Sequence, residues 1–484
     1  MNEPEPLAVA DLFAGLPRPW PDDRLRAQIA DERRRSGRPV VVLDDDPTGT
    51  QTVHDVQVLT RWEVADVRAA IADQPSALYL LTNSRSLPLA QAVECNRQAA
   101  QTVLAALPAE SYAATFVSRS DSTLRGHFPE EVDAVSQALA AWDGQPVDAV
   151  LLAPCFPEGG RYTLGDVHWV QEGEVAVPAA QTAYARDATF GYAHSHLPSW
   201  AEEKSGGAIQ ARSVRSLSLE QIRGGGPERV TEALSEARGG VVVVVNAACD
   251  RDLEVVALAV TRLESRGRRF LFRTSASFVK VLAGIPDRPL LSPQEILAGR
   301  TAGGGLIVVG SHVPRTTRQL EAACQLENLD CMELAVVDVL DPARRERTIA
   351  ECARFLDRAL ACGHDVLLFT SRSVRRADTP ADSLRLATEV ASALTATVRR
   401  LTHPPCYILG KGGITSSDLA TDALGARSAL VLGQILPGVP VWRLGTGSRW
   451  PETPLIIFPG NVGGDETLAQ VISSLRQPQP AAIT

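Results

Sequence analysis

The sequence predicts two α/β domains, each a parallel or mixed β-sheet flanked by helices, with the active site in the inter-domain cleft. Three observations carry this prediction. Short Val/Leu/Ile-rich runs bounded by Gly, Pro, Asp or Asn alternate with longer Ala/Leu/Arg/Glu-rich stretches, the rhythm of strand and crossover helix. The chain has 484 residues, more than one core usually organises. The rhythm breaks at 282–305, LAGIPDRPLLSPQEILAGRTAGGG, where prolines and a closing glycine run mark a linker. The expected organisation is an N-terminal extension over 1–38, a first domain over 39–281, the linker over 282–305 and a second domain over 306–484.

The strands are expected at Val40–Leu43, Ala77–Leu81, Ala149–Leu152, Val241–Val245, Leu306–Val309, Val366–Phe369, Tyr407–Leu409 and Leu455–Ile457. Continuous apolar runs of this length suit strands covered on both faces. Between them, Leu89–Leu107 places Leu89, Val93, Ala100, Val103 and Leu104 near helical spacing, and Ile349–Ala361 does so with Ile349, Ala353, Leu356 and Leu360. Ser199–Gly226, rich in Ser and Gly, reads as a surface excursion.

Composition narrows the function classes. With 45% hydrophobic and 22% charged residues the chain is of ordinary globular type, and its net charge of −9 gives no general reason to bind nucleic acid or anionic lipid. No apolar run approaches the ~18 residues of a membrane helix. The N-terminus lacks a basic start and apolar run, so a cytoplasmic location is expected. Eight scattered cysteines without a CxxC pair read as reduced, mostly buried thiols.

Two motifs in the first domain carry chemistry. VVVLDDDPTGTQ ends a strand with Asp44, Asp45, Asp46, Pro47, Thr48 and Gly49. Ligands of open α/β sheets collect beyond the carboxyl ends of strands, and crowded carboxylates there seek a cation or a donor, or act as a base. The competing reading is a turn and helix cap. FVSRSDSTLRG then sets Arg119 and Arg125 around Ser118, Ser120, Asp121, Ser122, Thr123 and Gly126. Two guanidiniums among hydroxyls and a carboxylate can hold a polyhydroxy acid, or else salt-bridge a helix cap with both arginines solvated. Asn83, Ser84 and Arg85 follow another strand and could line the same crevice. Gly159, Gly160 and Arg161 form a third Gly-rich turn, and His168 beside it reads as a packed histidine.

The second domain is rich in strand-to-glycine junctions: Gly310 and Ser311; Gly412, Gly413, Ile414 and Thr415; Gly460, Asn461 and Gly463. Glycines and free N–H groups suit phosphate oxygens, so three such loops suggest a nucleotide site. Neither GxxxxGK[ST] nor GxGxxG occurs at these loops.

In order and content these motifs resemble the four-carbon acid sugar kinase family. The family's DDxTG loop is matched by Asp45–Gly49, its DSTLRG stretch by Asp121–Gly126 and its GRxT segment by Gly160–Thr163. Its GS, GGxT and GNxG loops are matched by Gly310 and Ser311, Gly412–Thr415 and Gly460–Gly463, so the likeness spans Val40–Leu468. Two loops depart: GGET becomes GGIT at Ile414, and KSGNFG becomes FPGNVG. The resemblance implies an ATP-dependent kinase acting on a terminal hydroxyl of a tetronate or oxo-tetronate. It implies Asp45 or Asp46 as base, with Thr48, Gly49, Asn83, Arg85, Arg119, Asp121, Ser122, Arg125, Gly126 and Arg161 on the acid sugar. ATP and Mg2+ would lie on the three glycine loops, with no metal ligand assigned. The expected partners are small molecules, without nucleic acid or membrane, and a homo-oligomer is compatible with this. The alternatives are a magnesium-dependent phosphatase or aldolase on sugar-acid phosphates, and a non-catalytic nucleotide or metabolite sensor.

Overall fold

The computed structural model describes residues 3–107, 114–300, 303–372 and 380–476. Parts of the expected extension (1–2), first domain (108–113), linker (301–302) and second domain (373–379 and 477–484) lie outside the described residues. The chain divides into two compact units, residues 1–288 and 289–484.

The strands of the first unit are β1 (Leu7–Ala8), β2 (Val40–Asp44), β3 (Val56–Leu59), β4 (Leu78–Leu81), β5 (Thr115–Arg119), β6 (Ala149–Ala153), β7 (Arg161–Leu164), β8 (Val167–Glu172), β9 (Val175–Pro178), β10 (Arg215–Leu217), β11 (Val241–Val245) and β12 (Phe270–Thr274). Its main sheet runs β10, β11, β6, β12, β5, β2, β4, β3, with every neighbouring pair parallel. Every residue of β2, β4 and β6 is buried, as the apolar runs require of strands covered on both faces, and so is every residue of β5 and β12, polar ends included. A smaller antiparallel sheet, β1-β9-β8-β7, carries the Gly160–Arg161 turn.

Helix Leu89–Ala106 buries Ala92, Ala99, Ala100, Val103 and Leu104, on the face the periodicity marks, and leaves Leu89 exposed. Residues before β2 are built into this unit. Helix Leu25–Ser36 buries Leu25 and Ile29 and ends on Gly37 in the left-handed region, where a Cβ would be strained. Its Arg33 is buried against Glu264 at 2.7 Å and Thr115 Oγ1 at 2.8 Å. The stretch 199–226 is not a surface excursion. Trp200 is 1% exposed within helix Leu197–Lys204 and stacks on Phe128, and the chain then supplies β10 and the start of helix Leu219–Ser235. Its Ser and Gly residues hid one large aromatic anchor.

The second unit contains β13 (Leu306–Val309), β14 (Leu329–Leu334), β15 (Asp365–Thr370), β16 (Ile408–Lys411), β17 (Ser428–Leu436), β18 (Val439–Leu444) and β19 (Pro454–Phe458). Their order is β17, β18, β19, β16, β13, β15, β14. From β19 to β14 neighbours are parallel, whereas β17, β18 and β19 pair antiparallel, so the sheet is mixed. Ile307, Val309, Leu409, Val441, Ile456 and Phe458 meet Leu468 and Ile472 of helix Thr467–Leu475 in its core. The cysteines are free, but only Cys155, Cys352 and Cys406 are buried and Cys362 is exposed, so the expectation of mostly buried thiols does not hold.

Candidate active site

In the first unit the chain passes from β2 to β4 on one side and then returns to β5 on the other side of β2. That reversal opens a crevice at the carboxyl ends of β2 and β5, where open α/β sheets take their ligands. The Asp44–Gly49 loop and the Arg119–Gly126 loop both start there.

Asp44, the last residue of β2, is 1% exposed and receives a 3.1 Å hydrogen bond from Arg119 Nη1. Burial pushes its carboxyl up to about 7, against the pull of Arg119. A Cβ on Gly49 would lie 2.1 Å from Asp44 Oδ1, so the turn over this carboxylate needs glycine. Asp45 accepts from Arg85 Nη2 at 2.9 Å and from Ser120 Oγ at 2.7 Å. Asp46 caps the 3-10 turn Pro47–Thr50, accepting from Thr48 N at 2.8 Å and Thr48 Oγ1 at 2.6 Å. Burial works against its ionised form, yet Arg85 at 3.4 Å and Thr48 hold its carboxyl below the usual range. The turn reading of this loop and a binding role are therefore compatible in one residue.

The Asp121–Gly126 loop continues the network. Asp121 pairs with Arg125 Nε at 2.7 Å and Arg85 Nη1 at 3.6 Å, which outweigh burial and hold it well below the ordinary carboxylate range. Arg125 also reaches Asp187 at 3.7 Å and lies 5.2 Å from the centre of the Tyr184 ring. Arg161 approaches the same ring at 5.9 Å, and no carboxylate among the described residues pairs with it. Gly126 has φ +120°, and a Cβ there would meet Arg273 Nη2 at 2.6 Å and Ser120 Oγ at 2.7 Å. Arg119 is 3% exposed, so the solvated-arginine reading fails for it. The buried Nε groups of Arg85, Arg119 and Arg161 have no protein acceptor.

His168 is a packed histidine. Its Nε2 lies 2.7 Å from the Ser122 carbonyl, which can only accept, so Nε2 donates and Nδ1 accepts from Thr163 Oγ1 at 3.0 Å. Burial pulls the imidazole down to about 4, so it stays neutral at pH 7 and braces the Ser122 backbone. The Asn83 backbone is left-handed, φ +49°, and turns the chain so that Ser84 and Arg85 enter the crevice.

Sequence reasoning missed Arg273 and Glu131. Arg273, on β12, donates to Glu131 at 3.2 Å and to the Arg125 carbonyl at 3.3 Å. Burial lifts the Glu131 carboxyl above its usual range although Arg273 opposes it. A signal was present: FLFRT ends an apolar run on arginine as TFVSR does, and the two strands are neighbours with Thr274 opposite Arg119.

The second unit repeats the design. From β13 the chain crosses to β14 at the sheet edge, returns through β15 beside β13 and then moves to β16 on the other side, so the Gly310 and Gly412 loops flank its reversal point and the Gly460 loop follows on β19. The three loops are packed on one another. A Cβ on Gly310 would lie 2.4 Å from Thr415 Oγ1, and one on Gly460 2.8 Å from Ser311 Oγ. Gly412, φ +119°, donates through its N–H to the Phe458 carbonyl at 2.8 Å, and Thr316 Oγ1 donates to the Gly460 carbonyl at 3.0 Å. Gly413 opens the short helix Gly413–Asp418, Ile414 is 56% exposed, the Asn461 carbonyl accepts from Arg315, and Gly463 (φ +81°) packs on Thr467. Several glycines are thus explained by loop-to-loop contact as well as by room for a ligand. Lys411 and Arg315 stand in the strand-to-glycine junctions themselves without a role assigned from the sequence, and Arg372, which donates to the Ser311 carbonyl at 2.7 Å, is a basic residue the junctions do not contain. Burial, reinforced by Arg315, pulls Lys411 down to about 7.

Comparison with known proteins agrees with this division. Residues 40–282 match the model of a sugar-binding N-terminal domain and residues 306–468 that of a nucleotide-binding C-terminal domain. The chain is 27% identical over 445 residues to a D-threonate kinase of Bordetella bronchiseptica, covering 90% of this chain and 97% of the relative. It is 26% identical over 467 residues to a D-erythronate kinase of Heliobacterium modesticaldum, with the same coverage of 90% and 97%. A Haemophilus influenzae protein shares the fold with a TM-score of 0.61 at 19% identity, over 90% of this chain and 100% of that one. A Salmonella typhimurium protein does so with 0.64 at 17% identity, over 90% and 98%. With a sugar-binding module ending in the carboxylate–arginine crevice and a nucleotide-binding module ending in three glycine loops, the chain belongs to the four-carbon acid sugar kinase family.

Proposed function

We propose that the protein transfers the γ-phosphoryl group of ATP to the terminal hydroxyl of a four-carbon acid sugar. The observation that carries this reading is the pairing of two reversal-point sites of opposite chemistry: fixed arginines and carboxylates in one unit, stacked glycine loops in the other. The substrate carboxylate is read by Arg125 and Arg161, which converge on Tyr184 and of which Arg161 lacks an acidic partner among the described residues. Sugar hydroxyls fall to the Asp121–Gly126 loop and to Arg85 and Arg119, whose buried Nε groups lack acceptors. D-threonate and D-erythronate, the substrates named for the two relatives, are the first acceptors to test.

Asp45 is tied by Arg85 and Ser120, whereas the Asp46 side chain is 18% exposed, so Asp46 is the carboxylate that meets the acceptor hydroxyl. The hydroxyl oxygen attacks the γ-phosphorus, the bond to the β–γ bridging oxygen breaks, ADP leaves, and the hydroxyl proton passes to Asp46. Phosphoryl transfer demands positioning and charge neutralisation more than a strong base, so a carboxylate held below the usual range is adequate. ATP lies on the Gly310, Gly412 and Gly460 loops. No cluster of three His, Cys, Asp or Glu suited to a metal occurs among the described residues, which fits a magnesium ion held mainly by the nucleotide phosphates and water. No described helix is long and apolar enough to cross a membrane, and a cytoplasmic site of action is part of this reading.

Phosphorus NMR of the reaction with ATP, magnesium and each tetronate tests the proposal. A new phosphomonoester signal split into a triplet places the phosphate on the terminal CH2. A doublet would move it to a secondary hydroxyl, and inorganic phosphate alone would mean hydrolysis of ATP without transfer and overturn the kinase reading.

A further inference from the structure

We infer that Lys411 is the internal counter-charge for the nucleotide's phosphates and that it takes up a proton from solvent when the nucleotide binds. The inference rests on the nucleotide reading above. Lys411 ends β16, opposite Val309 of β13 and Phe458 of β19, and is fully buried. Its ammonium has three N–H groups to satisfy. One reaches the Pro459 carbonyl at 2.7 Å, and the nitrogen sits 3.8 Å from the centre of the Phe458 ring, whose face favours a cation. No carboxylate among the described residues pairs with it. The facing residues of β13 and β19 are uncharged, and among the described residues the one charged side chain that bears on it is Arg315, of like sign.

A buried ammonium without an anion is costly, and it relieves the cost by losing its proton. Lys411 is drawn down to about 7 by burial and Arg315, the direction this argument requires. Its surroundings indicate which anion would neutralise it. Gly412 and Gly413 follow it directly, and its acceptor Pro459 precedes Gly460, whose carbonyl is held by Thr316 of the helix Pro314–Ala323 that follows the Gly310 loop. The lysine lies where all three loops meet, so phosphate on those loops supplies the absent charge. Nucleotide binding then converts Lys411 from amine to ammonium, with the proton drawn from the buffer.

Titration calorimetry of the full chain with the magnesium complex of the non-hydrolysable ATP analogue AMP-PNP, in buffers of different ionisation enthalpy, reads this proton. At pH 8 the wild type should take up close to one proton per nucleotide, and at pH 6 close to none. Lys411→Met should abolish the uptake and weaken binding about 10- to 100-fold. A thermal melt of the ligand-free variant controls for folding, and the wild-type pH profile needs no variant. Tight binding without uptake at pH 8, or uptake retained in Lys411→Met, would overturn the inference and leave the nucleotide reading standing. Absence of binding by the wild type at both pH values would overturn the nucleotide reading itself.

Discussion

Asp45, one residue past β2, accepts a 2.7 Å hydrogen bond from the hydroxyl of Ser120, one residue past β5. The two strands are the neighbours between which the chain reverses, so this bond joins the two loops of the proposed acceptor site across its crevice. Arg85 adds a third element to the joint, reaching Asp45 at 2.9 Å from the loop after β4. Asp45 is thereby a fixed strut, and Asp46 beside it the more open carboxylate.

That division of labour predicts different losses. Asp46→Asn should lower kcat roughly 100-fold or more with ATP affinity unchanged, as expected for a group that handles the hydroxyl proton. Asp45→Asn should raise the acceptor KM more than it lowers kcat, because it loosens the joint. Steady-state kinetics with both substrates varied separates the two, and near-normal turnover in both variants would remove the aspartates from the mechanism.

Arg125→Ala should lower kcat/KM for the acid sugar by about 10- to 100-fold, the worth of a charge-assisted hydrogen bond. The KM for ATP should stay put. Arg125→Lys should recover part of the loss, since it keeps the charge beside Tyr184 but not the planar fork.

Gly49→Ala drives a methyl group into the Asp44 carboxylate, to which a Cβ would stand 2.1 Å. Denaturant unfolding should show a loss of about 1–3 kcal/mol, the usual range for overpacking. Acceptor turnover should fall with it.

Asp44 also predicts a pH dependence. Its folded-state carboxyl titrates at about 7 rather than 3.8, so between those values the folded protein binds more protons than the unfolded chain. The contribution of Asp44 to stability is therefore greatest at low pH and declines as pH rises to about 7. Asp44→Asn cannot ionise, so its stability relative to wild type should climb by on the order of 1 kcal/mol per pH unit across that window and level off above it. Parallel urea melts from pH 5 to 8 test the slope.

Much of this was legible in the sequence where chemistry and pattern coincide. The runs Val40–Leu43, Val241–Val245 and Leu306–Val309 became strands because an uninterrupted apolar run has few other ways to be buried. Strands β5 and β12 were hidden because each gives its last residues to the site: Ser118 and Arg119, Arg273 and Thr274. The same burial of polar groups that marks function erases the apolar signature. β17 and β18 were missed for another reason, since Gly433 and the register shifts around it break their alternation. Within the site, spacing marked both loops after β2 and β5 but not their partners Glu131 and Arg273, and it assigned no role to Lys411 in the other unit. Each of these owes its place to a tertiary neighbour: Arg273 and Glu131 to one another, Lys411 to Pro459.

The most direct test of the two-substrate account is ADP release from ATP and magnesium, measured with and without D-threonate or D-erythronate, for the wild type and Arg125→Ala. The account predicts ADP formation that depends on a four-carbon acid sugar and falls about 10- to 100-fold in the variant at limiting acceptor. Nucleotide binding without acid-sugar-dependent ADP, for tetronates and oxo-tetronates alike, would contradict it.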